Sequence, residues 1–286
     1  MRNIDEHTIT DAVLRSLEGC ANPRLRVVLG ALVTHLHDFA REVRLTEAEW
    51  AEGIRYLTQT GQKCSDVRQE FVLLSDVLGL SMLTIAMNHA KPAGATEATV
   101  FGPFHTDDAP ACEDGADIAR GAPGEPLAVE VHVVSEDGRP LPHADVDLWQ
   151  ADDDGLYDVQ IESLGPERRA RARMTTDAEG RLRFRTVVPV AYPIPTDGPV
   201  GELLNAVGRH PWRPAHIHFM IVAPGHQKLV THLFLDGDRW LESDAVFGVR
   251  SSLVVQLERP AGGTPTLRHE FVLAREPAAF AMGPGR

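Results

Sequence analysis

Cysteine is scarce in this chain of 286 residues, which carries only three, at Cys20, Cys64 and Cys112. An odd number at scattered positions excludes a disulfide framework and does not provide the paired spacing of a zinc site. Reduced thiols are typical of the cytoplasm, so we expect a cytoplasmic protein. The first residues, Met1 to Glu6, also lack the apolar stretch of a secretory signal.

Basic residues and long apolar runs are also in short supply. Lys and Arg together number 28 against 41 Asp and Glu, which gives a formal net charge of -13. Such an acidic chain is a poor partner for nucleic acid or for an anionic membrane surface, and both are excluded as main partners. No segment approaches the ~18 consecutive apolar residues of a membrane span. With 43% hydrophobic residues the chain can nevertheless bury a substantial core.

The first third of the chain has the hydrophobic periodicity of helices. Thr46 to Glu49 has the pattern of a capping box, with Leu45 and Trp50 placed as a hydrophobic staple around it. Apolar residues recur upstream at three- and four-residue steps, at Leu25, Val28, Leu29, Leu32, Leu36 and Phe39. We expect these residues to form one apolar face of a long helix.

Two shorter helices are expected to follow in the same region. The first runs from about Ser65 to Val77, and Gly79 interrupts the pattern before apolar residues resume from Leu80 to Met87. The region therefore contains four or five helices. Pro92 and Gly94 mark its end, so we predict a helical domain over residues 1–95 and a second domain over residues 96–286.

The second domain has the patterns of β-strands after a surface loop predicted from His105 to Pro126. Leu127 to Val133 alternates between the two faces of a strand, and Leu182 and Phe184 alternate with three arginines. Further strands are predicted over His216–Val222, Lys228–Leu235, Ser252–Leu257 and Leu267–Leu273. Several short strands separated by turn signals predict an antiparallel β-sandwich, so the fold class is mainly β with a helical N-terminal region.

Tyrosine is as rare as cysteine, and two of the three tyrosines, Tyr157 and Tyr192, lie in stretches rich in turn-forming residues. Downstream, His216 and His218 are two apart in a predicted strand, so both side chains lie on one face while Ile217 and Phe219 face a core. Two phenolates and two imidazoles form a hard donor set that favours iron(III). The alternative is a pair of buried histidines bonded to the backbone beside two ordinary loop tyrosines.

Four ordered motifs carry a resemblance to the intradiol ring-cleaving dioxygenases, which are non-haem iron(III) enzymes. The motifs are Asp147-Leu148-Trp149-Gln150-Ala151-Asp152, Gly155-Leu156-Tyr157-Asp158, Tyr192-Pro193-Ile194-Pro195 and Arg213-Pro214-Ala215-His216-Ile217-His218-Phe219. The resemblance extends over nearly the whole chain. It implies a β-sandwich that holds Fe(3+), and a helical domain that forms a homodimer and can line a lipid-filled apolar tunnel. The alternative for the helices is ordinary packing against the sheets.

The resemblance also implies roles for individual residues. Tyr157, Tyr192, His216 and His218 would be the metal ligands, and Tyr192 would leave the metal and accept a proton from the bound diol. Arg213 would be catalytic because its guanidinium stabilises the negative charge that builds on the substrate. A purely structural Arg213 would instead pair with a carboxylate such as Asp147 or Asp152.

The substrate is predicted from a further set of residues that resembles the hydroxyquinol 1,2-dioxygenase branch of the family. His232, which we assign a catalytic role, stands where catechol-cleaving relatives usually carry glutamine. Asp76 lies in an otherwise apolar helical stretch, where an acid is costly to bury unless it is used. We expect Asp76 to bind the third ring hydroxyl of hydroxyquinol; the alternative is a solvated helix residue or a local cap. The remaining predicted substrate-binding residues are Leu73, Val100, Phe101, Gly102, Ile194, Pro195, Arg213 and Val246.

The predicted activity is therefore cleavage of hydroxyquinol with O2 to maleylacetate. Two alternatives stay open. One is a catechol or chlorocatechol 1,2-dioxygenase that gives a muconate, and the other is a β-sandwich module that binds iron or lipid without turnover. The complete set of ligands together with Arg213 argues against the second alternative.

Overall fold

A computed structural model describes residues 3–65, 68–89 and 92–276. The predicted fold class is confirmed, because helices fill the first part of the chain and strands dominate from residue 126 onward. Contacts divide the chain into two compact units, residues 1–59 and 60–286. The helices are α1 (Ile9–Ser16), α2 (Pro23–Glu42), α3 (Glu47–Lys63), α4 (Glu70–Val77), α5 (Leu80–Asn88) and α6 (Pro199–Ala206).

The ends of the early helices have the capping that their sequence predicts. Asn22 accepts a hydrogen bond from the Leu25 amide at the start of α2, with Pro23 in its first turn. At the start of α3, the Thr46 amide donates to Glu49 Oε2 at 2.9 Å, and the Glu49 amide donates to Thr46 Oγ1 at 3.3 Å. The predicted capping box is therefore confirmed.

The break between the last two early helices also follows the prediction. Gly79 has φ +75°, a left-handed conformation that favours glycine, and it separates α4 from α5. The helix predicted from Ser65 begins later, at Glu70, and residues 66 and 67 lie outside the described part of the chain. Among the described residues no single helix could cross a membrane by its length and hydropathy. The pair of α4 and α5 passes that test only together, with a bend of 78° between them.

In the described part of the chain ten strands follow, with α6 between the fifth and the sixth. They are β1 (Pro126–Ser135), β2 (Asp145–Gln150), β3 (Arg171–Thr175), β4 (Arg181–Val187), β5 (Tyr192–Pro193), β6 (Trp212–Arg213), β7 (His216–Val222), β8 (Leu229–Leu235), β9 (Val254–Val255) and β10 (Thr266–Leu273). One sheet has the order β10-β1-β4, a second has the order β3-β2-β7-β8-β9, and β5 pairs with β6. The pairings β1–β10 and β8–β9 are parallel, so the sheets are mixed rather than purely antiparallel.

The main core lies between the three-stranded and five-stranded sheets. Phe219 of β7 contacts Phe184 of β4 and Phe271 of β10, with ring centroids 6.5 and 4.9 Å apart. Ile217 and Phe219 are fully buried in this core, as the alternation along the strand predicts. The residues that alternate with them, His216 and His218, therefore lie on the opposite face of the five-stranded sheet.

Two details differ from the sequence-based expectations, and strand β2 was not among the predicted strands. The predicted strand Ser252–Leu257 shrinks to β9, because a 3-10 helix occupies Ser251–Leu253. The loop before β1 is not confined to the surface: Ile118 is fully buried, and its amide donates to the Arg185 carbonyl at 2.9 Å. Strand β2 has no alternating pattern, since five of its six residues are buried. Strands covered on both faces lose the period-two signal.

Candidate active site

Four side chains converge on the outer face of the five-stranded sheet. The Tyr157 hydroxyl lies 2.9 Å from His218 Nε2, 3.5 Å from His216 Nε2 and 3.2 Å from the Tyr192 hydroxyl. The two Nε2 atoms are 3.1 Å apart. All four residues are at most 3% exposed. Two donor atoms bound at right angles at about 2.1 Å from one ion lie about 3 Å apart, so these separations suit a single metal ion.

The elements around the four residues explain their positions. His216 and His218 alternate along β7, and Tyr192 of β5 pairs with Arg213 of β6, just before that strand. Tyr157 precedes a 3-10 helix, and its amide donates to Gln160 Oε1 at 3.0 Å. The turn after β2 and the turn before α6 thus place the two phenols over β7.

The histidine tautomers support a cation between the Nε2 atoms. His216 Nδ1 lies 2.7 Å from the Pro214 carbonyl, which can only accept a hydrogen bond, so this nitrogen carries the proton. His218 Nδ1 lies 2.8 Å from His232 Nε2 and is satisfied on that side. Burial lowers the pKa of both imidazoles well below the ordinary value, so both are neutral. The His216 Nε2 atom therefore has a free lone pair 3.1 Å from His218 Nε2, so both nitrogens can bind one cation when His218 carries its proton on Nδ1.

The tyrosines also require such an ion to ionise. Burial is the largest cause that raises the pKa of Tyr157 and of Tyr192 above the ordinary value, so both are phenols in the protein alone. A bound cation of high charge would hold them as phenolates. The donor set therefore fits a hard metal ion.

His232 lies behind this donor set rather than in it. His216, His218 and His232 have nitrogen atoms within 4.8 Å of one another, a grouping that could by itself hold a metal. However, His232 Nε2 contacts the Nδ1 atom of His218, on the side of that ring away from Tyr157. On the far side of His232, Nδ1 lies 3.3 Å from Thr99 Oγ1. The geometry favours His232 as a hydrogen-bond partner that orients His218.

Strand register explains this arrangement. Trp149 of β2, His218 of β7 and His232 of β8 are direct cross-strand neighbours, so their side chains share one row on one face. The Trp149 ring stacks on His218 with centroids 4.6 Å apart, and Phe104 stacks on Tyr157 at 4.4 Å. These aromatic rings cover the donor set. The sequence analysis includes Trp149 only as part of a motif and does not single out Phe104.

Arg213 is buried at the edge of the donor set, with Nη1 3.3 Å from His216 Nε2. Its carboxylate partner is Asp244, at 3.1 Å from Nε, and not Asp147 or Asp152 as the structural alternative supposed. Asp147 pairs with its cross-strand neighbour Arg173, and Asp152 pairs with Arg169. Burial opposes the charged form of Arg213, but the negative charge of Asp244 raises the pKa of the guanidinium above its ordinary value.

Asp76 lies on the buried side of α4 and is 4% exposed, which excludes the solvated alternative. Burial raises the pKa of its carboxyl group above the ordinary value, whereas a hydrogen bond from Ser81 and the charge of Arg213 lower it. The charges of Arg213 and Asp244 both act on Asp76, so this acid belongs to the same electrostatic environment as the edge of the donor set.

The other predicted pocket residues differ in burial. Gly102 lies against the site: a Cβ atom on it would lie 3.1 Å from His218 Cε1, and its φ of +75° also favours glycine. Phe101 is 40% exposed, with its ring centroid 5.7 Å from that of Trp149. Pro195 is half-buried. Leu73, Val100, Ile194 and Val246 are buried.

Comparison with known proteins gives consistent matches over the described fold. A family model described as "Dioxygenase" matches residues 100–275, and one described as "Catechol dioxygenase N terminus" matches residues 22–96. The 6-chlorohydroxyquinol 1,2-dioxygenase of Cupriavidus pinatubonensis is 59% identical over 96% of this chain and 99% of its own length. The hydroxyquinol 1,2-dioxygenase of Nocardioides simplex is 52% identical over 91% of this chain and 88% of its own.

One solved structure is also similar to this chain over nearly its whole length. The hydroxyquinol 1,2-dioxygenase of Pseudomonas putida DLL-E4 is 50% identical, with a TM-score of 0.88, and the match covers 95% of this chain and 99% of that one. Catechol 1,2-dioxygenases match at lower identity: that of Acinetobacter radioresistens is 26% identical, with a TM-score of 0.84.

Proposed function

Since the chain belongs to the intradiol ring-cleavage dioxygenases, we propose that it cleaves hydroxyquinol with O2 to maleylacetate. The observation that carries the proposal is the convergence of two phenols and two imidazole Nε2 atoms within hydrogen-bond distance of one another, beside a buried arginine. Relatives named for hydroxyquinol or 6-chlorohydroxyquinol are 43–59% identical to this chain, whereas proteins named for catechol are 25–35% identical.

The metal that we propose for this site is iron(III), held by Tyr157, Tyr192, His216 and His218. Anionic phenolates and neutral imidazoles favour a hard trivalent ion. When bound, iron(III) would act as a Lewis acid and draw electron density from the deprotonated diol, which makes the ring reactive toward O2. The protein contributes the orientation of the substrate and the handling of its protons and charge.

Tyr192 is the residue that we propose to accept a proton from the diol. Its hydroxyl has fewer partners among the donor atoms than that of Tyr157, which contacts both histidines and Tyr192. Tyr192 can therefore move away while Tyr157, His216 and His218 keep the ion in place. His232 holds His218 in the tautomer that presents Nε2, and this is the role we propose for it.

Arg213 and Asp76 are proposed to act on the substrate itself. The Nη1 group of Arg213 faces the donor set and would stabilise negative charge that develops on the ring. Asp76 would hydrogen-bond the third hydroxyl, which catechol lacks. Leu73, Val100, Phe101, Gly102, Ile194, Pro195 and Val246 would form the remaining walls.

Replacing Asp76 should change the substrate preference. Asp76→Ala removes the partner of the third hydroxyl, so kcat/KM for hydroxyquinol should fall about 10- to 100-fold more than kcat/KM for catechol, the equivalent of about 1.5–3 kcal/mol. Steady-state oxygen uptake on both substrates measures this ratio. Val72→Ala, on the exposed side of the same helix, is the matched control. Equal losses on both diols would contradict the assignment of Asp76.

The apolar face predicted along α2 supports a homodimer formed through the helical domain, residues 1–95. None of the residues of α2 is buried. Leu25, Val28, Leu32, Leu36 and Phe39 are each 45–54% exposed. Such a continuous apolar face is typical of an interface or of a lipid-binding surface. We also propose a cytoplasmic location, which the three free cysteines support.

Oxygen uptake with hydroxyquinol, 6-chlorohydroxyquinol and catechol, side by side, tests the proposed function. We expect one O2 consumed per hydroxyquinol, a maleylacetate product and a red to brown protein with one iron per chain. Because hydroxyquinol oxidises spontaneously, the double variant Tyr192→Phe/His216→Ala serves as the blank. A preference for catechol with a muconate product would keep the iron site and overturn the substrate. A colourless protein that contains zinc would overturn both.

A further inference from the structure

The carboxylate of Asp244 accepts four hydrogen bonds beside the donor set. Its Oδ1 atom accepts from Arg213 Nε at 3.1 Å and from the Val246 amide at 3.3 Å. Its Oδ2 atom accepts from Arg213 Nη2 at 3.3 Å and from the Gly248 amide at 2.9 Å. Asp244 is 5% exposed. One carboxylate therefore ties the guanidinium to the turn that carries Val246.

The ion pair with Asp244 fixes the position of the third guanidinium nitrogen of Arg213, Nη1. A guanidinium presents its donors in a planar fork, and a carboxylate that binds Nε and Nη2 fixes the plane and the direction of Nη1. In this chain Nη1 then lies 3.3 Å from His216 Nε2, at the metal-facing side of that imidazole. Without the fork, a long arginine side chain has several rotamers available, and few of them present Nη1 to the site.

The backbone of the turn that follows Asp244 packs closely against the guanidinium of Arg213. Phe247 has φ +59°, a strained conformation for a bulky residue, and its amide donates to the Asp244 carbonyl at 3.0 Å. A Cβ atom on Gly248 would lie 3.0 Å from Arg213 Nη2 and 3.1 Å from Asp244 Oδ2. The turn therefore leaves no room for a side chain between its backbone and the guanidinium.

We propose that Asp244 is a positioning residue that aims Arg213 at the substrate and couples it to the turn Val246–Gly248. The inference rests on the proposed function, because the charge that Arg213 would stabilise is that of the reacting diol. Asp244 contacts neither the donor atoms nor the predicted third-hydroxyl partner through any hydrogen bond of the described residues. We expect most of its effect on turnover to pass through Arg213, because Arg213 is the side chain beside the donor set that Asp244 hydrogen-bonds.

A double-mutant cycle tests this coupling, with Asp244→Asn, Arg213→Met and the combined variant. Asparagine keeps the size of the side chain but cannot accept from all four donors, so kcat for hydroxyquinol should fall about 10- to 100-fold. The dissociation constant of hydroxyquinol under nitrogen should change less than about threefold, because Arg213 acts on charge that develops in the transition state. In the Arg213→Met background, Asp244→Asn should lower kcat by less than about threefold.

Readouts other than turnover separate positioning from loss of structure. The iron content and the phenolate-to-iron absorption band of Asp244→Asn should equal those of the wild type, since the four ligands are unchanged. Asp236→Asn is the matched control: this exposed acid also accepts a backbone amide, that of Gly237, and should keep wild-type kcat. If Asp244→Asn does not fold, Gly248→Ala replaces it, and its loss of kcat should also vanish in the Arg213→Met background.

The outcomes distinguish this inference from the proposed function. An active wild type with losses that multiply in the combined variant, or with kcat of Asp244→Asn within about twofold of the wild type, would overturn the positioning role alone. A wild type that turns over neither hydroxyquinol nor catechol would remove the proposed function, and the role of Asp244 with it.

Discussion

Tyr192→Phe is expected to retain iron but to lose about 10³-fold in kcat for hydroxyquinol, the middle of the range for removal of an acid–base group. The physical reason is the proton that the substrate must release: phenylalanine cannot accept it. Tyr157, His216 and His218 remain to hold the ion, and their donor atoms lie within 3.5 Å of one another. Single-turnover kinetics and iron analysis on the same preparation measure both effects.

Tyr157→Phe tests the other tyrosine of the donor set, for which we expect an effect on iron retention. The Tyr157 hydroxyl contacts the other three donors, so its loss should weaken iron retention rather than proton transfer alone. Tyr56→Phe, which alters the third tyrosine, in α3, should leave iron content and kcat unchanged. If Tyr192→Phe lost its iron and Tyr157→Phe kept both iron and kcat, the two roles would have to be exchanged.

The second large effect is on stability, and it concerns the ion pair next to Tyr157. Arg171 and Asp158 have side chains that are each 1% exposed, and Arg171 Nε lies 2.9 Å from Asp158 Oδ2. Arg171→Met would leave the Asp158 carboxylate buried without its counter-charge, at a cost of about 3–5 kcal/mol in the free energy of unfolding. Urea denaturation of the iron-free protein measures this loss.

Two further variants provide comparisons for the stability loss of Arg171→Met. Arg268→Met breaks exposed pairs with Glu130 and Glu258, so it should cost no more than about 1 kcal/mol. The double variant Arg171→Met/Asp158→Leu removes both buried charges and should recover part of the stability lost in Arg171→Met. A loss for Arg171→Met as small as that for Arg268→Met would contradict the view that a desolvated pair anchors the Tyr157 turn.

These effects share one feature of the site: its charged groups and the four proposed metal ligands are almost entirely removed from water. Arg213, Asp244, His216, His218 and the two tyrosines are all 5% exposed or less. Electrostatic interactions are stronger in such surroundings, and each unpaired group is correspondingly costly. The same burial that makes the site reactive therefore makes it sensitive to single substitutions at its supporting residues.

The sequence by itself determined the features that depend on neighbouring residues. The alternation in His216–Val222 predicted which side chains face the core, and the capping box at Thr46 and the break at Gly79 predicted where helices begin and end. The motifs around Tyr157 and Tyr192 identified the family. Short-range patterns carry this information because backbone geometry repeats every two residues in strands and every 3.6 in helices.

Tertiary structure alone decided which distant groups meet. The partner of Arg213 is Asp244, 31 positions away in the chain, and the sequence had suggested Asp147 or Asp152 only for the alternative of a purely structural arginine. His232 lies behind His218 because β7 and β8 pair in one particular register, which places the two residues directly opposite each other. A shift of one residue would turn His232 to the other face of the sheet. Pairing of this kind depends on how whole strands and loops pack, so no local pattern encodes it.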